Sequence, residues 1–236
     1  MPLHALRRLA LVASFLLLAA CVEPGTHTSS SDLPPLRSAS SFQAELDALG
    51  IPLRLPPGRA ILVNIPAYEL VAFEDGVPVL RSRVIIGTPR DRTPRIDTYT
   101  SRVTFRPSWR PTPLMIARGE ARDGVRPPGE DNPLGLAAVW LGPGLQIYLH
   151  DTSHRHLFGR QMRALSHGCI RVERWDELIA WILGQDVDWV RTMAGTPPSR
   201  EVPAPHVPVL IRYLPLFPAA DGRVLRHPDI YRLGTR

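Results

Sequence analysis

The chain has 236 residues, is 44% hydrophobic and 21% charged, and carries a formal net charge of +6. That length suits one ordinary domain with short extensions, and the balance excludes a disordered chain. The 26 prolines favour loops and extended segments over long helices. All 28 basic residues are Arg, scattered rather than striped, which reads as coding bias. The mildly basic surface suits an anionic polymer or membrane headgroups; with no nucleic-acid motif beside it, DNA and RNA are not expected partners. No internal repeat is found.

In chain order, residues 1–20 read as a signal segment. Arg7 and Arg8 form a positive start, and the apolar run Leu9 to Ala20 is too short to span a bilayer comfortably. It ends in "LLAAC", where small residues before Cys21 resemble a bacterial lipoprotein signal, cleaved before Cys21 with a lipid on its sulfur. An ordinary secretory signal is the alternative. A lipid there would hold the protein at a membrane. Val22, not Asp, follows, which points to the periplasmic face of an outer membrane.

Residues 21–40 read as a flexible tether and 41–59 as a short helix with a lead-in. From Ala60 the period becomes that of strands, and Asp75-Gly76 between alternating apolar runs marks a hairpin. "DTYTSRVTF" and "LQIYLHD" read as further strands. Trp175, Leu178, Ile179 and Ile182 recur at helical spacing, predicting a helix over 174–184 stopped by Gly184. Residues 60–192 form the expected catalytic domain. Residues 193–236 are expected as a Pro-rich arm with a C-terminal strand and tail packed on it, "VPVLIRYLPLF" being the strand and "DGRV" a turn. The fold class is predominantly β, with a few short helices.

The chemistry gathers between His150 and Arg171. If Cys21 is acylated, Cys169 has no intramolecular partner, so it is either buried and inert or kept because it reacts. Thiol acyl transfer needs a partly ionised thiol, a base, amides aimed at an oxyanion and a cation for an anionic substrate. Gly168 lets a substrate carbonyl approach, and Arg171 is placed as the cation. Two histidines compete for the base. His167 would share a face with Cys169 in an extended strand, and His150 would meet it across paired strands. A zinc site from His150, His154, His156, His167 and Cys169 is a weaker reading, because "HDTSHRH" lacks a helical setting for its spacing.

"SHGCIRV", with "IYLHD" ending in its Asp just after His150, nineteen residues before Cys169, resembles the signature of the bacterial L,D-transpeptidases of the YkuD type. "FRPSWRPTP", "PPGEDNPLG" and "DGRVLRHPDIY" resemble further stretches of the larger periplasmic members, so the likeness runs from about Ala60 to Tyr231. It implies a β-sandwich-like catalytic fold. Cys169 would be the nucleophile and His150 the proton acceptor and donor. His167 and Gly168 would shape the oxyanion site, and Arg171 would orient substrate. Tyr148, Asp151 and Ser166 would sit at or near the cleft. The implied reaction takes peptidoglycan stem peptides as donor and acceptor. A Cys169 thioester forms, D-Ala leaves, and a 3-3 cross-link results, with no cofactor and no metal. Carbapenem-type inhibitors are expected to modify the thiol.

Two departures matter. The long lid insertion of the larger relatives is nearly missing between "MIAR" and "PPGEDN", and no peptidoglycan-binding module is seen. Acceptor choice therefore stays open between a stem amine, water and a protein lysine. Water would make the protein an L,D-carboxypeptidase; a non-catalytic wall-binding lipoprotein is the reading from another class.

Overall fold

The computed structural model describes residues 42–129 and 131–234. The signal segment, Cys21 and the tether lie outside the described residues. Among the described residues no helix is long and apolar enough to cross a membrane.

The chain opens with helix α1 (Phe42–Ala48), then strands β1 (Arg59–Asn64), β2 (Glu69–Glu74), β3 (Val77–Gly87) and β4 (Asp97–Phe105). Helix α2 (Pro113–Ala117) precedes β5 (Ala137–Leu141), β6 (Tyr148–His150), β7 (Ala164–Ser166) and β8 (Ile170–Val172). Helices α3 (Trp175–Leu183) and α4 (Val187–Gly195) lead to β9 (Arg200–Pro203), β10 (Pro208–Arg212), β11 (Leu216–Pro218) and β12 (Val224–Arg226). The predominantly β expectation holds.

Strand β1 explains why "AILVN" is apolar without a break. Ile61 and Val63 face the main core, while Leu62 faces a second cluster with Phe42, Leu46, Val71, Phe73 and Phe217. Helix α1 is thus the cover on the outer face of the sheet. Phe42 is its anchor, with its ring 4.9 Å from that of Phe73 and 5.6 Å from that of Phe217. The β2–β3 turn takes Asp75 and Gly76 to φ of 48° and 78°, the double positive φ of a tight hairpin.

The main sheet runs β10-β1-β2-β3-β8-β6-β5-β4-β9, with β7 on β3. Strand β10 lies parallel to β1 and antiparallel to β4, so this pairing closes the sheet on itself. The arm and tail are therefore more than a covering on a finished domain: β9 and β10 belong to the main sheet. The expected strand "VPVLIRYLPLF" splits in two. Buried Asn64 takes both Leu214 backbone groups, donating to its carbonyl at 3.0 Å and accepting from its N–H at 2.9 Å, which fixes a bend between β10 and β11. The expected strand "LQIYLHD" contracts to β6, because the residues before it form the β5–β6 turn.

Helix α3 buries the predicted stripe and ends on Gly184 at φ 64°. Helix α4 was not expected. Its buried residues are only Val190 and Ala194, too narrow a stripe to read, and the Asp186 side chain caps it by accepting from the Asp188 N–H at 2.7 Å.

Candidate active site

Strands β6 and β8 run parallel, with Leu149 opposite Ile170 and His150 opposite Arg171. Alternation sends Leu149, Ile170 and Val172 into the core. It sends Tyr148, His150 and Arg171 to the other face. Cys169 lies just before β8, two residues ahead of the Arg171 that faces His150, and the Arg171 charge reaches both groups.

A chain reversal presents the thiol. Strand β7 pairs with the end of β3 on the edge that β2 has left, with the Ile86 N–H donating to Arg163 and the Thr88 N–H to Ser166. Strand β8 takes the opposite edge of β3. Residues His167, Gly168 and Cys169 make the crossing over the end of β3. This is a turn, not an extended strand, so His167 and Cys169 do not share a strand face as the sequence suggested. Buried Ser166 holds the turn: its hydroxyl donates to the Cys169 carbonyl and accepts from the Gly168 N–H at 3.2 Å. Gly168 sits at φ +109°, a conformation that side chains rarely adopt.

A second brace comes from remote sequence. Thr93 Oγ1 donates to the Gly168 carbonyl at 2.9 Å and accepts from the Gly87 N–H at 2.9 Å. The Tyr231 hydroxyl accepts from the Thr93 N–H at 3.1 Å and donates to the Gly87 carbonyl at 2.7 Å. A side chain at Gly87 would lie 2.1 Å from the Asp91 carbonyl, so the 88–96 loop needs glycine there to fold back beneath the turn.

The two histidines occupy opposite environments. His150 is 4% exposed. Its Nδ1 faces the Asp151 carbonyl, so Nδ1 carries the proton and Nε2 keeps its lone pair. Burial, helped by the nearby Arg171 charge, holds its pKa down to about 3. His167 is exposed, with Nε2 3.0 Å from Glu120 Oε2. Glu120 also lies 3.7 Å from Arg90 and 4.0 Å from Arg118, and Arg118 is 2.7 Å from Asp91.

Cys169 is half-buried, and its thiol points to the Gln146 carbonyl at 3.6 Å. Burial raises its pKa, opposed more weakly by a backbone contact with Tyr148 and the Arg171 charge. Both shifts run against the partly ionised thiol expected from the sequence. The resting groups are a neutral thiol and a neutral imidazole, because no close ion pair offsets the loss of water around either.

Arg171 is half-buried, and its Nε has no acceptor among the described residues. Of the three expected cleft residues only Tyr148 is open. Asp151 is buried, its carboxylate taken by Arg155 at 2.7 and 3.0 Å and by the Leu136 N–H at 2.8 Å. Ser166 is buried inside the turn. Gly168 offers no open amide either, because its N–H is taken by Ser166.

The five residues weighed as zinc ligands are not gathered. The three-residue set that does come together among the described residues is Asp91, Glu120 and His167, with ligand atoms within 4.8 Å of one another. Arg118 and Arg90 already neutralise it. Sequence reasoning missed Thr93, Tyr231 and Glu120. Their contacts to the turn span 75 residues for Thr93 and 47 for Glu120, and no local pattern announces them.

A half-buried thiol just before β8 and a buried imidazole on the adjoining β6 make up the candidate site. The family model for the L,D-transpeptidase catalytic domain, YkuD, matches residues 58–209, and the chain belongs to that family. An L,D-transpeptidase homologue of Haemophilus influenzae is 31% identical over 84% of this chain and 49% of its own length. The Escherichia coli K12 homologue YbiS is 36% identical over 50% of this chain and 39% of its own. The chain thus spans about half or less of these relatives. Among solved structures, the catalytic domain of the E. faecium L,D-transpeptidase, acylated by ertapenem, is similar with a TM-score of 0.40 and 15% identity, over 67% of this chain and 100% of that one.

Proposed function

We propose that the protein is a peptidoglycan L,D-transpeptidase working through a thioester on Cys169. The observation that supports this is the β6–β8 pairing of His150 with Arg171, two residues after Cys169 in the chain. Family membership supports it.

In this reading the thiol attacks the carbonyl between stem-peptide residue three and the terminal D-Ala. As the Sγ–C bond forms, His150 Nε2 takes the thiol proton, which removes the cost of a buried thiolate. The imidazolium gives that proton to the departing nitrogen, and D-Ala leaves. An amine on a second stem then attacks the thioester, loses its proton to His150, and expels sulfur, which is reprotonated. The product is a 3-3 cross-link. The Asp151 carbonyl fixes the ring tautomer. With the Gly168 N–H taken, the Cys169 and His167 amides are the candidates for the oxyanion. Arg171, with its unpaired Nε, orients substrate. Carbapenem-type β-lactams acylate the same sulfur.

A second reading uses water as acceptor. It is favoured by the shortness of the 106–129 segment, which reaches the turn through Glu120 and His167 and is pinched by two backbone bonds between Trp109 and Arg126 at 2.9 and 2.7 Å. We further propose envelope localisation through a lipid on Cys21; Cys21→Ser should shift the protein from the membrane to the soluble envelope fraction. Muropeptide mass spectrometry tests the reaction. Cross-linked 3-3 dimers support transpeptidation, trimmed tripeptides alone support hydrolysis, and unchanged tetrapeptides with no D-Ala release contradict both.

A further inference from the structure

One row of side chains extends away from the thiol across four strands. Tyr148 lies opposite Trp140 on β5, and Trp140 lies opposite Arg102 on β4. On the other side of Tyr148 lies Cys169, which contacts the Tyr148 backbone. The order on this face is therefore Cys169, Tyr148, Trp140, Arg102. The members touch: the Trp140 and Tyr148 rings are 4.4 Å apart, and the Arg102 guanidinium carbon sits 3.9 Å from the Trp140 ring centroid. Arg102, Trp140 and Tyr148 floor a cleft of about 500 Å³, which Tyr99 and His206 flank and which Gln146, the acceptor of the Cys169 thiol, also lines.

Arg102 has the features of an anion-binding group. Stacking on an indole fixes a guanidinium plane and leaves its N–H edge free. Glu201 approaches Nε at 3.4 Å and is itself held by the Thr104 hydroxyl, which accepts from the Trp140 indole N–H at 2.8 Å. Among the described residues no hydrogen bond takes the Arg102 terminal nitrogens. Three strand intervals separate the Cys169 and Arg102 backbones, about 14 Å. An extended peptide covers about 3.4 Å per residue, and the arginine reaches back along the row. The matching ligand is a peptide carboxylate about two to four residues from the scissile bond.

We propose that Arg102, stacked on Trp140, is the carboxylate-binding group of a substrate subsite in this cleft, and that its ligand is an acidic peptide lying across the strands. The peptide class rests on the proposed stem-peptide chemistry. Tyr148 and Trp140 supply the apolar floor between the anchor and the thiol. The net charge of +6 also favours an acidic peptide.

Direct binding tests the subsite without chemistry. A stem tetrapeptide and its carboxamide form are titrated into the full-length Cys169→Ala protein, with and without Arg102→Gln, by calorimetry. Arg102→Gln should weaken the free-carboxylate peptide about tenfold or more and leave the carboxamide unchanged. Arg102→Lys should fall between. If Arg102→Gln does not fold, the two peptides compared on the parent protein still decide: equal affinities overturn the proposal. Equal affinities of the acidic peptide for the parent and Arg102→Gln proteins also overturn it.

On the Cys169 protein, two kinetic arms locate the carboxylate. A donor role raises KM for thioester formation, and an acceptor role raises KM for transfer to the amine, each with kcat within about twofold. Alkylation by neutral iodoacetamide should not change. A fall in kcat without a change in KM in both arms contradicts an anchoring role. Absence of any thioester on the unaltered protein would sink the proposed reaction while leaving the binding result to judge the subsite.

Discussion

The regions on either side of the nucleophile differ in what they do with a histidine. Toward β6, His150 is buried, neutral and fixed by strand register. Toward the 106–129 segment, His167 is exposed and held by Glu120 within a cluster that includes Arg90, Arg118 and Asp91. A proton relay to a half-buried sulfur needs an uncharged acceptor. His150 meets that condition. His167 already has a carboxylate. Spacing alone did not choose between the two histidines, and the family resemblance favoured His150.

The largest expected effect breaks or keeps that contrast. His150→Gln should slow single-turnover acylation by about 10²–10⁴-fold. His167→Gln removes an exposed contact and should slow it by less than about fivefold. Rapid-quench acylation with intact-mass detection compares the two, and equal losses would erase the distinction.

The pH dependence of stability is the next test. In the unfolded chain His150 takes a proton near its ordinary pKa of 6.5, whereas the folded chain refuses it until about pH 3. Its contribution is therefore intact above pH 6.5 and is lost as pH falls toward 3, by up to about 1.4 kcal/mol per unit. Urea denaturation at pH 7, 5.5 and 4 should show this slope. His150→Gln should flatten it.

The turn itself gives smaller effects. Gly168→Ala forces a side chain into positive φ and should cost about 1–2 kcal/mol. Thr93→Val removes a hydroxyl that both donates and accepts and should cost about 1–3 kcal/mol. Chemical denaturation reads both, and both should also slow acylation by displacing the Cys169 backbone. Smallest of all, Glu120→Gln should change stability by under about 1 kcal/mol.

These differences follow what the sequence could and could not show. The hairpin at Asp75-Gly76 and the α3 stripe were legible because each is a local pattern. The brace from Thr93 and Tyr231 was not, because those residues meet only after the sheet closes. The Arg102–Trp140 contact depends on the β4–β5 register, which shifts between Thr100 and Arg102. An irregularity of that kind moves side chains from face to face, and no composition signal fixes it. The ionisation state of Cys169 was also out of reach. A thiol near an imidazole reads as activated, and only burial of both groups shows that they rest uncharged.

The most direct test of the paired neutral thiol and imidazole is intact-mass analysis of the protein mixed with a stem tetrapeptide over a single turnover. The account predicts a tripeptide adduct on Cys169 with one D-Ala released, forming at least about a hundredfold more slowly in His150→Gln. No adduct on Cys169, or an adduct that forms equally fast without His150, would contradict it.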